Sequence, residues 1–181
     1  MDFEEGKKLV FAKLGNANLQ KHCLAVAAVM RHLARKFNAD EDKWALAGIL
    51  HDLDYEETLN NPERHSLVTV EWLAGYNLDP EILDAIKAHG NKADRNSLMN
   101  KAIWAADPVT GFLVACALIR PEKKLAAVEV EFAVKRMKEK RFAAGANRDQ
   151  IRSCSDMGLT LEEFMGISIS AMKEIASELG L

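Results

Sequence analysis

One period dominates the chain. Apolar residues recur at three- and four-residue intervals along its length, and the every-second-residue alternation of a half-buried strand is almost absent. A chain patterned this way buries its apolar surface by packing helix on helix, which predicts an all-α fold. The start signals agree with the period. Asp40 before Glu41-Asp42-Lys43, Asn61 before Pro62, Asp79 before Pro80, and Thr160 with Glu163 each supply an acceptor for the N–H groups that a helix start leaves unpaired. Gly75 and Gly90, which follow apolar-periodic runs, and Gly158, which follows Asp156-Met157, mark stops. The resulting helices are 3–14, 17–37, 41–52, 62–74, 80–89, 97–106, 108–119, 123–140, 147–157 and 161–179.

No repeat, low-complexity tract or Pro/Gly/Ser-rich linker divides the chain, and 181 residues, 49% of them hydrophobic, suffice for one core, so a single domain over 1–181 is expected. Residues 123–181 are rich in Lys and Glu and carry no His. They predict a helical extension, from about residue 120, packed on the part that bears the chemistry, with a surface available for a homo-oligomer. A net charge of −3 gives no overall electrostatic footprint for a polyanion or a membrane. The expected partner is therefore a small molecule, with no nucleic-acid polymer and no membrane. The opening MDFEEGKKLVFAKLG carries charges through its first turns and no continuous apolar run, unlike a signal peptide or a membrane span, and predicts a cytoplasmic protein. Cys23, Cys116 and Cys154 are odd in number and widely spaced, which predicts reduced, packed thiols rather than a disulfide framework.

The stretch GILHDLDYEE, residues 48–57, breaks the pattern. It places His51 and Asp52 at the end of an apolar helical run, where a buried carboxylate without a partner costs several kcal/mol. Other ionisable residues share that inward orientation. His22 heads a stripe of Ala25, Val26, Val29, Met30 and Leu33; His65 is followed by Val68, Thr69 and Trp72; His89 is preceded by Ile82, Ala85 and Ile86; Asp107 looks back on Ile103 and Trp104. A lone His on an apolar face is usually a packed core residue. Four His and two Asp aimed at one interior are hard to satisfy pairwise, whereas a divalent cation accepts imidazole nitrogens and carboxylates together. His32, rotated about 80° from the His22 stripe, reads as a boundary residue.

These residues and their order resemble the HD-domain superfamily of metal-dependent phosphohydrolases: His22 in NLQKHCLAV, His51-Asp52 in LAGILHDLDYEE, and Asp107 in AIWAADPVTGF. The resemblance covers roughly residues 16–119 and implies a helical bundle in which His22, His51, Asp52 and Asp107 bind a metal. His65 in ERHSLVTVEWLA and His89 in LDAIKAHG look like the two further His of the two-metal members, which would make Asp52 a bridging ligand. The alternative is that they line the pocket of a one-metal site. Mixed nitrogen and oxygen ligation suits manganese, iron, cobalt, nickel or magnesium.

The resemblance implies a hydrolase of phosphoric esters or anhydrides acting on a nucleotide or another small phosphorylated metabolite. The six-ligand form also includes di-iron oxygenases, and a noncatalytic metal- or ligand-binding module is the third reading. Many phosphohydrolase members follow the HD pair with Ile-Gly-Lys, the Lys approaching phosphate; here Leu53-Asp54-Tyr55 stands instead. Lys92 and Arg148 are the candidates to replace that charge. Asp54 and Glu56, just past the HD pair, are candidates beside Asp52 to orient the attacking water or protonate the leaving group.

Overall fold

Local chemistry sets the helix starts. In the computed structural model, which describes residues 1–181, α1 (Phe3–Lys13) begins at a capping box in which Asp2 accepts from the Glu5 N–H and Glu5 reaches back to Asp2. Asn16 caps α2 (Ala17–Lys36) through the Asn18 N–H, and Asp40 caps α3 (Glu41–Leu50) through the Lys43 N–H. A short α4 (Tyr55–Thr58), a 3₁₀ turn at Pro62–Arg64 and α5 (Leu67–Leu73) follow. Asp79 then caps α6 (Pro80–His89), and Ser97 caps α7 (Leu98–Leu118). The extension holds α8 (Val130–Arg136), α9 (Arg148–Arg152), α10 (Leu161–Glu174) with the Thr160–Glu163 capping box, and α11 (Ala176–Leu179). The protein contains no β-strand.

Several segments depart from the sequence reading; besides 147–157, which turns 3₁₀ after Arg152, and 161–179, which breaks at Ile175, three are instructive. The helices expected at 97–106 and 108–119 are one helix, α7, with Pro108 inside it. Proline at that place removes one N–H and crowds the carbonyl four residues back, that of Trp104, but its ring fixes φ at a helical value, so the helix continues through it. Residues 123–140 are not one helix: Leu125–Ala127 forms a 3₁₀ turn, Val128 runs extended, and only Val130–Arg136 is α-helical. The segment 62–74 is interrupted at Ser66, whose φ of 67° is left-handed.

The apolar core runs without a break from Val10 to Leu179. Helix α7 lies at its centre, against α2, α6, α9 and α10. It is long and apolar enough by length and composition to cross a membrane, but more than half of it is buried within the protein. Helices α2 and α3 approach most closely where Gly48 meets Ala27: a Cβ on Gly48 would lie 2.7 Å from the Ala27 Cα. Only glycine permits that separation, and it brings the end of α3 beside His22 of α2. All three cysteines are free and buried.

Candidate metal centre

Six side chains converge from five segments. His22 projects from α2 and Asp107 from α7, His89 is the last residue of α6, His51 and Asp52 occupy the turn just beyond α3, and His65 lies between the Pro62–Arg64 turn and α5. His22 Nε2 lies 3.2 Å from His51 Nε2, 3.1 Å from Asp107 Oδ1 and 3.6 Å from Asp52 Oδ2. His51 Nε2 is 3.5 Å from the same Asp52 oxygen. The other Asp52 oxygen, Oδ1, is 3.4 Å from both His65 Nε2 and His89 Nε2. Asp52 thus stands between two pairs of imidazoles, one oxygen toward each.

Second partners fix which nitrogen faces inward in three of the four rings, His89 Nδ1 being buried without one. His51 Nδ1 donates to the Gly48 carbonyl at 2.7 Å, and His65 Nδ1 donates to Asp54 Oδ1 at 2.8 Å. The Thr110 hydroxyl donates to the Asp107 carbonyl at 2.9 Å, so its oxygen accepts from His22 Nδ1 at 3.1 Å. With those protons placed outside, three Nε2 lone pairs point into the cluster. Two such lone pairs facing each other at 3.2 Å repel unless a proton or a metal ion lies between them, and outward N–H groups held by carbonyls and carboxylates are the usual support of metal-binding His. This donor set fits a divalent metal, and two overlapping subsets, His22–His51–Asp107 and His51–Asp52–His89, which share the His51 nitrogen, each bring three ligand atoms close enough together for an ion.

The electrostatics agree. Burial pushes His51 down to about 4, so its ring is neutral at ordinary pH. Burial also opposes charge on Asp52, but the His51 and His89 rings outweigh it and hold the carboxyl far below the usual carboxylate range. For His89, burial is overcome by the hydrogen bond and charge of Asp52, which raise it to about 9. For His22, burial is overcome by Asp107, and the shift is upward. The cluster therefore holds positive charge between its carboxylates.

The cluster floors an open cavity of about 570 Å³ lined by His22, Asp52, His65, His89 and Asp107, with Leu19, Tyr55, Trp104, Asn147 and Gln150 around the rim. An open face distinguishes a site that admits water and substrate from a closed structural one.

The remaining predicted residues are placed otherwise. Asp54 is fully buried and holds His65 through Oδ1 and the Thr69 N–H through Oδ2, so it positions a ring instead of meeting substrate. Glu56 accepts from the Gly15 and Asn16 N–H groups at 2.7 and 3.0 Å and fastens the turn before α2. Lys92 Nζ pairs with Glu63 at 3.1 Å. Arg148 donates to the carbonyls of Ala143, Phe142 and Ala146, and its guanidinium lies over the Phe112 ring. The expectation placed all four at the reacting group, whereas Asp54, Glu56 and Lys92 have partners within the protein and Arg148 donates through its terminal nitrogens, its buried Nε being left without a partner. Thr110 was recoverable from sequence, three residues past Asp107 on the same helical face. Asn147 and Gln150 carry no local signal.

The HD domain family model matches residues 19–141. Among curated proteins the chain is similar to several called Ribonuclease Y, three of which follow. It is 31% identical to that of Chlorobaculum tepidum over 133 residues, 72% of this chain and 23% of the relative. It is 31% identical to that of a Sulfurovum species over 93 residues, 51% of this chain and 18% of the relative. It is 27% identical to that of Campylobacter concisus over 175 residues, 95% of this chain and 33% of the relative. The chain thus spans a third or less of the length of these relatives. No solved structure gives a significant match.

These relatives are ribonucleases by name, which overturns the expectation that a nucleic-acid polymer plays no part. That expectation rested on net charge, and net charge averages over the surface: residues 135–141, KRMKEKR, carry five cations and one acid within a chain of net charge −3. Taken with the family match over 19–141 and the His/Asp cluster within it, the chain belongs to the HD-domain family of metal-dependent phosphohydrolases.

Proposed function

We propose that this protein is a divalent-metal-dependent hydrolase of phosphodiester bonds in a ribonucleotide substrate. The observation that carries the reading is Asp52, with Oδ2 facing the His22 and His51 nitrogens and Oδ1 facing those of His65 and His89, an arrangement suited to two ions bridged by one carboxylate. The ribonuclease names of the relatives support the substrate class.

His22, His51 and Asp107 would hold one ion and His65 and His89 the other, with Asp52 shared. A divalent metal there would supply a water of lowered pKa and neutralise charge on the phosphoryl oxygens. The protein's own part is positioning. Gly48, Asp54 and Thr110 keep the His51, His65 and His22 rings turned inward, and Asp52 stays ionised because imidazoles surround it. Tyr55 and Trp104 border the cavity as aromatic surfaces on which a nucleobase could stack, the Arg95 guanidinium lying over the Trp104 ring.

Purified protein assayed with manganese, and after chelation, against bis(p-nitrophenyl) phosphate and a diribonucleotide tests this. Metal-dependent release of nitrophenol or nucleotide, unaffected by removal of oxygen, is the expected result. No diester turnover at saturating metal, with oxygen consumed by an iron-loaded preparation, would instead establish the oxygenase reading.

A further inference from the structure

A second cavity, of about 540 Å³, lies behind the rim of the first. It is lined by Met137, Lys138, Lys140, the segment Ala144–Asp149 and Arg152. The two cavities share a wall. Asn147 borders both, and Ala144, Gly145 and Ala146 also line a smaller cleft whose other side is His22 and Asp107. A chain lying across Ala144–Asn147 therefore has one end at the candidate metal ligands and the other among cations.

Arg152 and Asp149 of this cavity pair with each other, but its two lysines are unspent. Lys138 and Lys140 are exposed and make no ion pair, whereas the neighbouring Arg136 and Arg152 are held by Glu139 and Asp149. Arg148 lies beneath, its guanidinium donating to main-chain carbonyls, so its charge stays in place without a carboxylate to cancel it. Asn147 accepts the Asp149 and Gln150 N–H groups through Oδ1, which leaves its Nδ2 free to donate. The N–H groups of Ala144 and Gly145 have no partner within the protein. Flexible ammonium groups, a free amide and open main-chain N–H groups are the donors that hold a phosphate.

We infer that this cavity is a second phosphate subsite, in which Lys138, Lys140 and Asn147 take a neighbouring phosphate of a single-stranded oligoribonucleotide whose scissile phosphate sits at the His/Asp cluster. The inference rests on the phosphodiester reading above for its substrate, but its binding chemistry is testable without turnover. The probe is a fluorescein-labelled short oligoribonucleotide, its anisotropy followed with the full chain in EDTA so that cleavage does not interfere.

The Lys138→Glu/Lys140→Glu protein should bind about tenfold or more weakly than the unaltered chain. The slope of log affinity against log salt should fall by about 0.7, the value for one lost phosphate contact on a single strand. Lys138→Arg/Lys140→Arg should retain binding. Equal affinity and slope in the Glu and unaltered proteins would overturn the subsite, as would failure of the unaltered protein to bind at low salt. Binding that is lost in the Glu protein, without cleavage of any diester by the unaltered chain with manganese, would leave the subsite standing and refute the hydrolytic reading.

Discussion

Asp54 and His65 are joined at 2.8 Å, Oδ1 accepting from Nδ1, and the other Asp54 oxygen accepts the Thr69 N–H at 2.9 Å. One fully buried carboxylate thereby fixes a candidate ligand and the first turn of α5. Burial opposes its charge, but the His65 and Thr69 hydrogen bonds prevail and keep it ionised. Asp54→Ala should lose roughly 2–3 kcal/mol of stability, since charge-assisted partners are left unmet, and should weaken metal binding about 10–100-fold. Thermal unfolding and manganese titration check the two effects, and undiminished metal affinity would mean that His65 needs no orienting partner.

The proposed two-ion arrangement rests on Asp52 facing both imidazole pairs. Elemental analysis of metal-saturated protein should approach two ions per chain. His65→Ala should lower this toward one, and Asp52→Ala should remove most of both ions along with activity. Full occupancy in Asp52→Ala would count against the shared-carboxylate arrangement.

The upward shift of His89 to about 9 has opposite consequences for the metal-free and metal-bound protein. Its folded pKa lies above the unfolded value of about 6.5, so the metal-free protein has a stabilising contribution that is complete below about pH 6.5 and is lost as pH rises through about 9. A metal must displace that proton. Apparent metal affinity should therefore rise with pH, by about tenfold per unit between roughly pH 7 and 9, and then level off. Calorimetric titrations in buffers of different ionisation enthalpy should detect about one proton released near pH 7.5; none released would show that His89 is neutral before metal binds.

Gly48→Ala would drive a methyl group into the Ala27 backbone. Overpacking of this kind costs about 1–3 kcal/mol. Because the Gly48 carbonyl also holds His51 Nδ1, metal affinity should fall together with the melting temperature. Gly111→Ala, with open space around its Cα, is the control and should unfold within a few degrees of the unaltered protein.

The helical fold and the convergence of His22, His51, Asp52, His65, His89 and Asp107 were legible because both follow from spacing along helices, and spacing fixes which side chains share a face. The partners of Glu56 and Arg148 were not. Glu56 binds main-chain N–H groups at Gly15 and Asn16, some forty residues away in sequence, and Arg148 binds carbonyls of a loop that has no periodic signal. Pro108 was read as a break because the rule against proline in helices is local, whereas the central position of α7 is a property of the whole packing. The rim formed by Asn147 and Gln150 escaped notice for the same reason: the extension was expected to pack on the site, and it also encloses it.

All six inward-facing side chains fall between residues 22 and 107, within the stretch that matches the family, while the shared wall Ala144–Asn147 lies beyond residue 141, where that match ends. Heritable changes in the wall can therefore alter which molecules are admitted without touching the groups that would cut them. The candidate ligands and this wall are carried by separate stretches of the gene, so the approach to the cluster can change while the cluster stays as it is.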